Sequence, residues 1–143
     1  MIAVDTNILV HAHRRDSPFH PAAAARIREL AEGRAPWVLP WPCVHEFYSV
    51  VTHPRIYRPP STGAEAISQI GAWLEAPSAV LVSEGPAYWT FLARLLAEGK
   101  VTGPAVHDAR IAALCLANGV SQLWSADRDF TRFPDLRTAN PLV

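Results

Sequence analysis

The chain begins with MIAVDTNILV, Met1 to Val10, in which a carboxylate interrupts an apolar segment. The apolar residues Ile2 to Val4 predict a short buried strand, and Thr6 to His13 predicts a helix that begins directly after it. Asp5 therefore follows the end of a strand, the edge of a parallel sheet at which ligands bind. Taken alone, however, an Asp before a helix is more often an N-cap. The rest of the chain decides between these two interpretations.

The composition predicts one folded domain spanning residues 1–143. Half of the residues are hydrophobic and 18% are charged, which is typical of globular proteins. Thirteen basic residues balance thirteen acidic ones, so net charge neither favours nor excludes a nucleic-acid partner. Cys43 and Cys115 lack the spacing of a zinc site, and we expect both in the core of a protein from a reducing compartment. With no apolar segment of membrane-spanning length and no signal peptide, we expect a soluble, cytoplasmic protein without a membrane partner.

Short apolar segments alternate with helical patterns along the whole chain. Further strands are predicted at Trp37–Leu39, Ala79–Val82, Gln122–Trp124 and near Arg137–Ala139. Further helices are predicted at Pro21–Gly33, Pro42 to about His53, Ala64–Glu75, Pro86–Glu98 and Pro104–Asn118. This alternation predicts the α/β class, with a parallel sheet of four to five strands and helices on both faces.

Two further carboxylates lie within predicted helices. Glu46 is at the edge of the apolar stripe of the helix PCVHEFYSVV. A boundary residue whose carboxylate reaches water and a functional residue are about equally good interpretations. Asp108 is predicted a full turn inside its helix. Its neighbours on the same face are Ile111, Ala112 and Cys115. An unpaired buried carboxylate is costly, so a functional role is favoured at Asp108.

Asp127 repeats the arrangement of Asp5 at the end of another strand. In LWSADRDF it follows the strand Gln122–Trp124, with Ser125 beside it and Asp129 two residues further on. An Asp-rich turn, in which Ser125 or Asp127 caps a helical turn at Arg128–Phe133, is an equally good interpretation when the segment is taken alone.

Together the four carboxylates favour a metal site over four separate structural roles. Two of them follow strands and two project from helices that can flank the same edge of the sheet. Clustered like charges repel one another unless a cation is present, and Mg²⁺ or Mn²⁺ is the cation that prefers oxygen ligands. No histidine pair has the spacing of a zinc site. The four histidines nearest these motifs are therefore interpreted as surface or packing residues: His11, His13, His45 and His107.

The order of these motifs resembles the PIN-domain ribonucleases, and among them the VapC-type toxins of bacterial toxin–antitoxin modules. The similarity is carried by DTN after the first strand, Glu46 in LPWPCVHEFYSVVTHPRI, Asp108 in VHDARIAAL and SADRDF near the end. It covers essentially the whole chain. The resemblance implies a Rossmann-like α/β/α sandwich and magnesium-dependent cleavage of RNA, with manganese as a possible substitute.

The resemblance also assigns expected roles to individual residues. It implies that Asp5 and Asp108 are the main metal ligands and that Glu46 and Asp127 complete an acidic catalytic pocket. Asn7 and Ser125 lie where the family uses small polar residues to orient those carboxylates. Asp129 either substitutes for Asp127 or lies beside it. Candidates for contacts to RNA phosphates are Arg14, Arg15, Arg55, Arg58, Arg110 and Arg128.

The resemblance further implies partners for the chain. These are a structured RNA cut in an exposed loop, as in tRNA or rRNA, a VapB-like antitoxin whose tail blocks the pocket, and a second copy in a homodimer. The alternative is a PIN-fold module that binds RNA or an antitoxin without cutting. The intact set of four carboxylates favours the nuclease.

Overall fold

Five short parallel strands form one sheet in the computed structural model, which describes all residues from Met1 to Val143. The strands are β1 (Ile2–Val4), β2 (Trp37–Pro40), β3 (Ala79–Val82), β4 (Gln122–Trp124) and β5 (Thr138–Ala139). Their order across the sheet is β3-β2-β1-β4-β5. The predicted α/β class and the parallel sheet are confirmed, and the last predicted strand is real but only two residues long.

Six helices connect and cover the strands. They are α1 (Thr6–His13), α2 (His20–Glu32), α3 (Trp41–Val51), α4 (Gly63–Glu75), α5 (Tyr88–Glu98) and α6 (Val106–Ala117). Two 3-10 turns lie at Gly103–Ala105 and Arg128–Arg132. Every predicted helix is present, with ends shifted by a residue or two. None of the helices is both long and apolar enough to cross a bilayer.

The start of α6 corrects the predicted position of Asp108. The segment Gly103–Ala105 forms a separate 3-10 turn, in which Gly103 has a φ of 57° that favours glycine. The α-helix therefore begins at Val106, and Asp108 lies in its first turn rather than a full turn inside. Its carboxylate is half-buried and lies near the positive end of the helix dipole, where a negative charge is favoured.

The chain changes direction across the sheet between β1 and β4. It passes from β1 through β2 to the edge strand β3, and then crosses back to β4 and β5 on the other side of β1. Because parallel crossovers are right-handed, the connections to the two sides lie on opposite faces of the sheet. The carboxyl ends of β1 and β4 thus meet at the switch point of the fold, where the Asp5 amide donates to the Trp124 carbonyl at 3.0 Å.

The central strands and the helix faces that pack on them form one hydrophobic core. All four residues of β2 are buried, and Trp37 and Phe47 are among the largest side chains with no exposed surface. Cys43 and Cys115 are also fully buried and unpaired, so the prediction that they are core residues is confirmed.

Replacing Phe47 with alanine should destabilise the fold strongly. Its ring packs edge-on against His13 at 5.3 Å and Trp73 at 4.9 Å between centroids, so truncation leaves a cavity and should cost about 3–5 kcal/mol of unfolding free energy. Ile67→Ala is the matched control, because Ile67 is 64% exposed and its loss should cost less than about 0.5 kcal/mol. Urea unfolding measures both, and equal losses would contradict this description of the core.

Candidate active site

The buried carboxylate of Asp5 forms the floor of the site. Asp5 is only 7% exposed, and each of its oxygens accepts two hydrogen bonds. Oδ1 accepts from the Thr6 amide at 2.8 Å and from the Cys43 thiol at 3.6 Å. Oδ2 accepts from the Ser125 hydroxyl at 2.7 Å and from the Asn7 amide nitrogen at 3.1 Å. Asp5 is the N-cap of α1, as one interpretation of the sequence predicted, and it accepts a hydrogen bond from the Thr6 amide. Its other three donors are side chains rather than helix amides.

Ser125 and Asn7 join the ends of β1 and β4. Asn7 Nδ2 also donates to Ser125 Oγ at 3.2 Å, and its Oδ1 accepts from the Ala126 amide at 3.0 Å. Ser125 Oγ in turn accepts from the Asp127 amide at 3.0 Å. The loop after β4 is therefore held against the start of α1, which positions Asp127 beside Asp5.

A cavity of about 580 Å³ opens above Asp5. We call it the acidic pocket, because its wall includes four carboxylates: Asp5, Glu46, Asp108 and Asp127. The structure thus brings together, from two strand ends and two helices, all four carboxylates that the sequence singled out.

The tightest group of carboxylates differs from the expected metal ligands. Asp108, Asp127 and Asp129 each offer an oxygen within 4.8 Å of the other two. Asp127 caps the 3-10 turn Arg128–Arg132, and its Oδ1 accepts from the Asp129 amide at 2.8 Å, which holds the two side chains next to each other. Asp5 lies outside this close group.

Burial and mutual repulsion raise the pKa values of the pocket carboxyls. The pKa of Asp108 rises to about 6, first because of burial and then because of the carboxylates of Asp127 and Asp5. Burial also raises the pKa of Asp5, although its hydrogen bonds from Ser125 and Thr6 act in the opposite direction. The pKa of Glu46 is raised by burial and by Asp5. The negative charge of the pocket carboxylates is therefore not balanced by positively charged side chains around them.

The donor atoms of the pocket fit a hard divalent cation. Four carboxylates supply the negatively charged donors, and although three histidines also line the cavity, no cysteine does. Thr6 lines the same pocket and is 6% exposed, yet its Oγ1 is the single buried side-chain polar atom without a hydrogen-bond partner. The cluster of carboxylates without a cationic partner is the feature that a hard divalent cation would neutralise.

The predicted phosphate-binding arginines are distributed unevenly. Arg110 lines the acidic pocket and pairs with Glu84, while Arg128 is exposed beside Asp127. Arg15 is exposed on a second, separate polar cavity.

Arg14, by contrast, is held by contacts within the fold. Its guanidinium pairs with Asp16 at 2.6 Å, donates to Ser61 Oγ and the Pro59 carbonyl, and covers the Tyr57 ring at 4.3 Å. With its side chain 11% exposed, Arg14 anchors the loop that follows α3 and has little surface for an RNA phosphate.

Sequence reasoning missed several side chains of the site. His11, His45, His107 and Tyr57 line the acidic pocket, and the sequence assigned none of them a place in the site. His45 and His107 directly precede Glu46 and Asp108, which was the available signal. The surroundings of the histidines still agree with the prediction of surface or packing residues: His45 and His107 are exposed, His11 packs against Phe19, and His13 packs against Phe47.

The sequence matches the family description "PIN domain" over residues 2–136. The chain belongs to the PIN-domain family. Ribonuclease VapC48 of Mycobacterium tuberculosis is 33% identical over 137 residues, which cover 96% of this chain and 94% of that protein. Ribonuclease VapC43 of the same species is 35% identical over 142 residues, covering 99% and 96%. The family resemblance predicted from the sequence motifs is confirmed.

Solved structures share the fold of this PIN domain at lower identity. The VapBC2 complex of Rickettsia felis, bound to a fragment of its promoter DNA, superposes with a TM-score of 0.72 at 18% identity, covering 98% of both chains. VapC20 of M. tuberculosis, described as a toxin that cleaves the sarcin–ricin loop, superposes with a TM-score of 0.67 at 14% identity, covering 92% and 93%. Both support the PIN fold.

The metal-free PIN domain should lose stability as the pH rises toward neutrality. Folding raises the pKa of Asp108 from 3.8 to about 6, so its contribution to stability is fully present below pH 3.8 and is lost as the pH passes 6. Asp108→Asn removes this loss and should be more stable than the wild type by about 1 kcal/mol at neutral pH, after allowance for solvent screening.

Urea unfolding with a chelator, measured across the acidic to neutral range, tests this expectation. The gain from Asp108→Asn should shrink as the pH falls. A gain that does not change with pH would show that the charge on Asp108 is not its cause.

Proposed function

We propose that this protein is a metal-dependent endoribonuclease and the toxin of a toxin–antitoxin module, cutting exposed loops of structured RNA such as tRNA or rRNA. The observation that carries the proposal is the acidic pocket at the switch point of a PIN fold, in which Asp108 and Asp127 lie within 4.8 Å of each other and of the adjacent Asp129. The names of the VapC ribonucleases to which the chain is similar support the same activity.

The proposed ligands of the cation are Asp108 and Asp5, supported by Asp127 and Asp129. Asp108 and Asp127 have no cationic partner, and Asp5 approaches from the buried side. A bound Mg²⁺ or Mn²⁺ would acidify a water molecule and relieve the negative charge that develops on the phosphate and on the leaving oxygen.

The remaining side chains of the pocket position the reacting groups. Asn7 and Ser125 keep the Asp5 carboxylate in one orientation through the bonds described above. Glu46 faces the pocket from α3, and its raised pKa suits a group that accepts a proton from water.

Binding of RNA requires positive charge at the rim of this acidic pocket. Arg110 and Arg128 are the proposed phosphate contacts, because Arg110 lines the cavity and Arg128 follows Asp127 directly. A single-stranded loop suits an open cavity, since its bases are unstacked and its phosphates accessible. Arg15, Arg55 and Arg58 are exposed and can extend the contact along the RNA.

The proposal includes two protein partners in the cytoplasm. One is a small VapB-like antitoxin whose tail enters the acidic pocket, and the other is a second copy of the chain. Two structures with this fold support the antitoxin partner, because both are VapBC assemblies: VapBC2 of R. felis and VapBC-1 of nontypeable Haemophilus influenzae, the second with a TM-score of 0.68. Trp89, which is 66% exposed on α5, is an apolar surface available for either contact.

Cleavage of total cellular RNA by the purified chain, free of antitoxin, tests the function. We expect discrete fragments with Mg²⁺ or Mn²⁺, none with EDTA, and a loss of at least about 100-fold in rate for Asp108→Asn, because the substitution removes a metal ligand. Asp135→Asn is the matched control, since Asp135 pairs with Arg94 away from the pocket. Folded wild type that cuts nothing under either metal would favour the binding module instead.

Arg110→Gln should weaken RNA binding without changing which RNA is preferred. Loss of one phosphate contact should lower the slope of log affinity against log salt by about 0.7 for single-stranded RNA. Arg26→Gln is the control, because Arg26 lies on α2 in a surface pair with Glu29. Fluorescence anisotropy with EDTA present measures the slope, and an unchanged slope would remove Arg110 from the phosphate contacts.

A further inference from the structure

Glu84 forms an ion pair with Arg110 at the rim of the acidic pocket and has no part in the roles proposed above. Glu84 lies in the loop between β3 and α5, whereas Arg110 lies on α6, so the pair joins two separate segments. Arg110 donates to Glu84 Oε1 through Nε, which leaves both Nη groups without a bond to the protein. Arg110 lines the pocket and Glu84 does not.

Arg110 is the only arginine or lysine in the wall of the acidic pocket. A flexible guanidinium in the wall of the same pocket is attracted to its carboxylates and would compete with a metal ion. It does not reach them in this structure. The neighbouring charges that act most strongly on Asp108 are all carboxylates and all raise its pKa: Asp127, Asp5, Asp129 and Glu46.

We propose that Glu84 is a positioning residue that holds the Arg110 guanidinium at the rim of the pocket, away from the carboxylates that bind the cation. The two Nη groups then remain available for an RNA phosphate. This inference rests on the proposed function, since it assumes that the pocket binds a divalent cation. The hydrogen bond from Arg110 also lowers the pKa of Glu84, so that the pair stays ionised at neutral pH.

A simpler interpretation is that the pair only fastens the β3–α5 loop to α6. In that case its loss changes the stability of the protein and leaves its affinity for metal ions unaltered. A second simple interpretation is that Glu84 favours cations only through its negative charge. Then replacing Glu84 weakens metal binding equally whether Arg110 is present or absent.

Mn²⁺ affinity of the RNA-free protein separates these interpretations. Electron paramagnetic resonance of free Mn²⁺ gives the affinity of the wild type, Glu84→Gln, Arg110→Gln and the double variant. Glu84→Gln should weaken Mn²⁺ binding by about threefold to tenfold, because a released guanidinium is attracted to the carboxylates. The same substitution in Arg110→Gln protein should have no effect, since no guanidinium remains to move.

Two further variants complete the test. Glu84→Asp keeps the charge but shortens the side chain, so positioning predicts weakened binding whereas charge alone predicts wild-type affinity. Glu29→Gln breaks the exposed pair between Arg26 and Glu29 on α2 and should leave Mn²⁺ binding unchanged. Thermal unfolding of each variant verifies that it is folded.

Each outcome has a definite meaning. An effect of Glu84→Gln that disappears without Arg110 supports the positioning role. Equal effects in both backgrounds, or none in either, would overturn it while leaving the proposed function intact. A wild-type protein that binds no Mn²⁺ would overturn the proposed function and this inference together.

Discussion

The buried carboxylate of Asp5 is the constraint on which the rest of the site depends. A carboxylate that is 7% exposed is tolerable only if hydrogen-bond donors surround it. Its four donors come from the start of α1, from α3 and from the end of β4. Satisfying Asp5 therefore fixes where these three segments meet. The loop that carries Asp127 is positioned by the same contacts, since Ser125 bonds to both residues.

The same arrangement leaves the site with an excess of negative charge. The hydrogen bonds satisfy Asp5, but no basic side chain approaches Asp108, and its pKa of about 6 reflects this imbalance. Such a pocket is costly for a metal-free fold and favourable for a bound cation, which is the usual compromise between stability and function at an active site. The core around β2 and Phe47 provides the stability that this compromise requires.

The sequence predicted which carboxylates meet in the site, from their positions at strand ends and from the order of the motifs. Asp5 and Asp127 follow β1 and β4 directly, so a parallel sheet was enough to bring them together. Glu46 and Asp108 were expected at the same edge because their helices can flank it, and the resemblance to PIN-domain ribonucleases, now confirmed for the family, implied their roles in one pocket.

Features that depend on backbone detail or distant pairing were not predictable in this way. The positive φ of Gly103 separates a 3-10 turn from α6 and moves Asp108 into the first turn of the helix. Asp129, in the loop where Asp127 caps a 3-10 turn, lies beside Asp108, a local geometry that the sequence pattern does not specify. Arg14 pairs with Asp16, and Glu84 meets Arg110 across 26 residues of chain; no periodic pattern indicates either contact.

A crystal structure of the protein soaked in Mn²⁺, with anomalous diffraction, tests the central claim most directly. The account predicts an anomalous peak in the acidic pocket, coordinated by Asp108 together with Asp5, Asp127 or Asp129. A pocket without an anomalous peak, in crystals of protein that cleaves RNA in the presence of Mn²⁺, would contradict it.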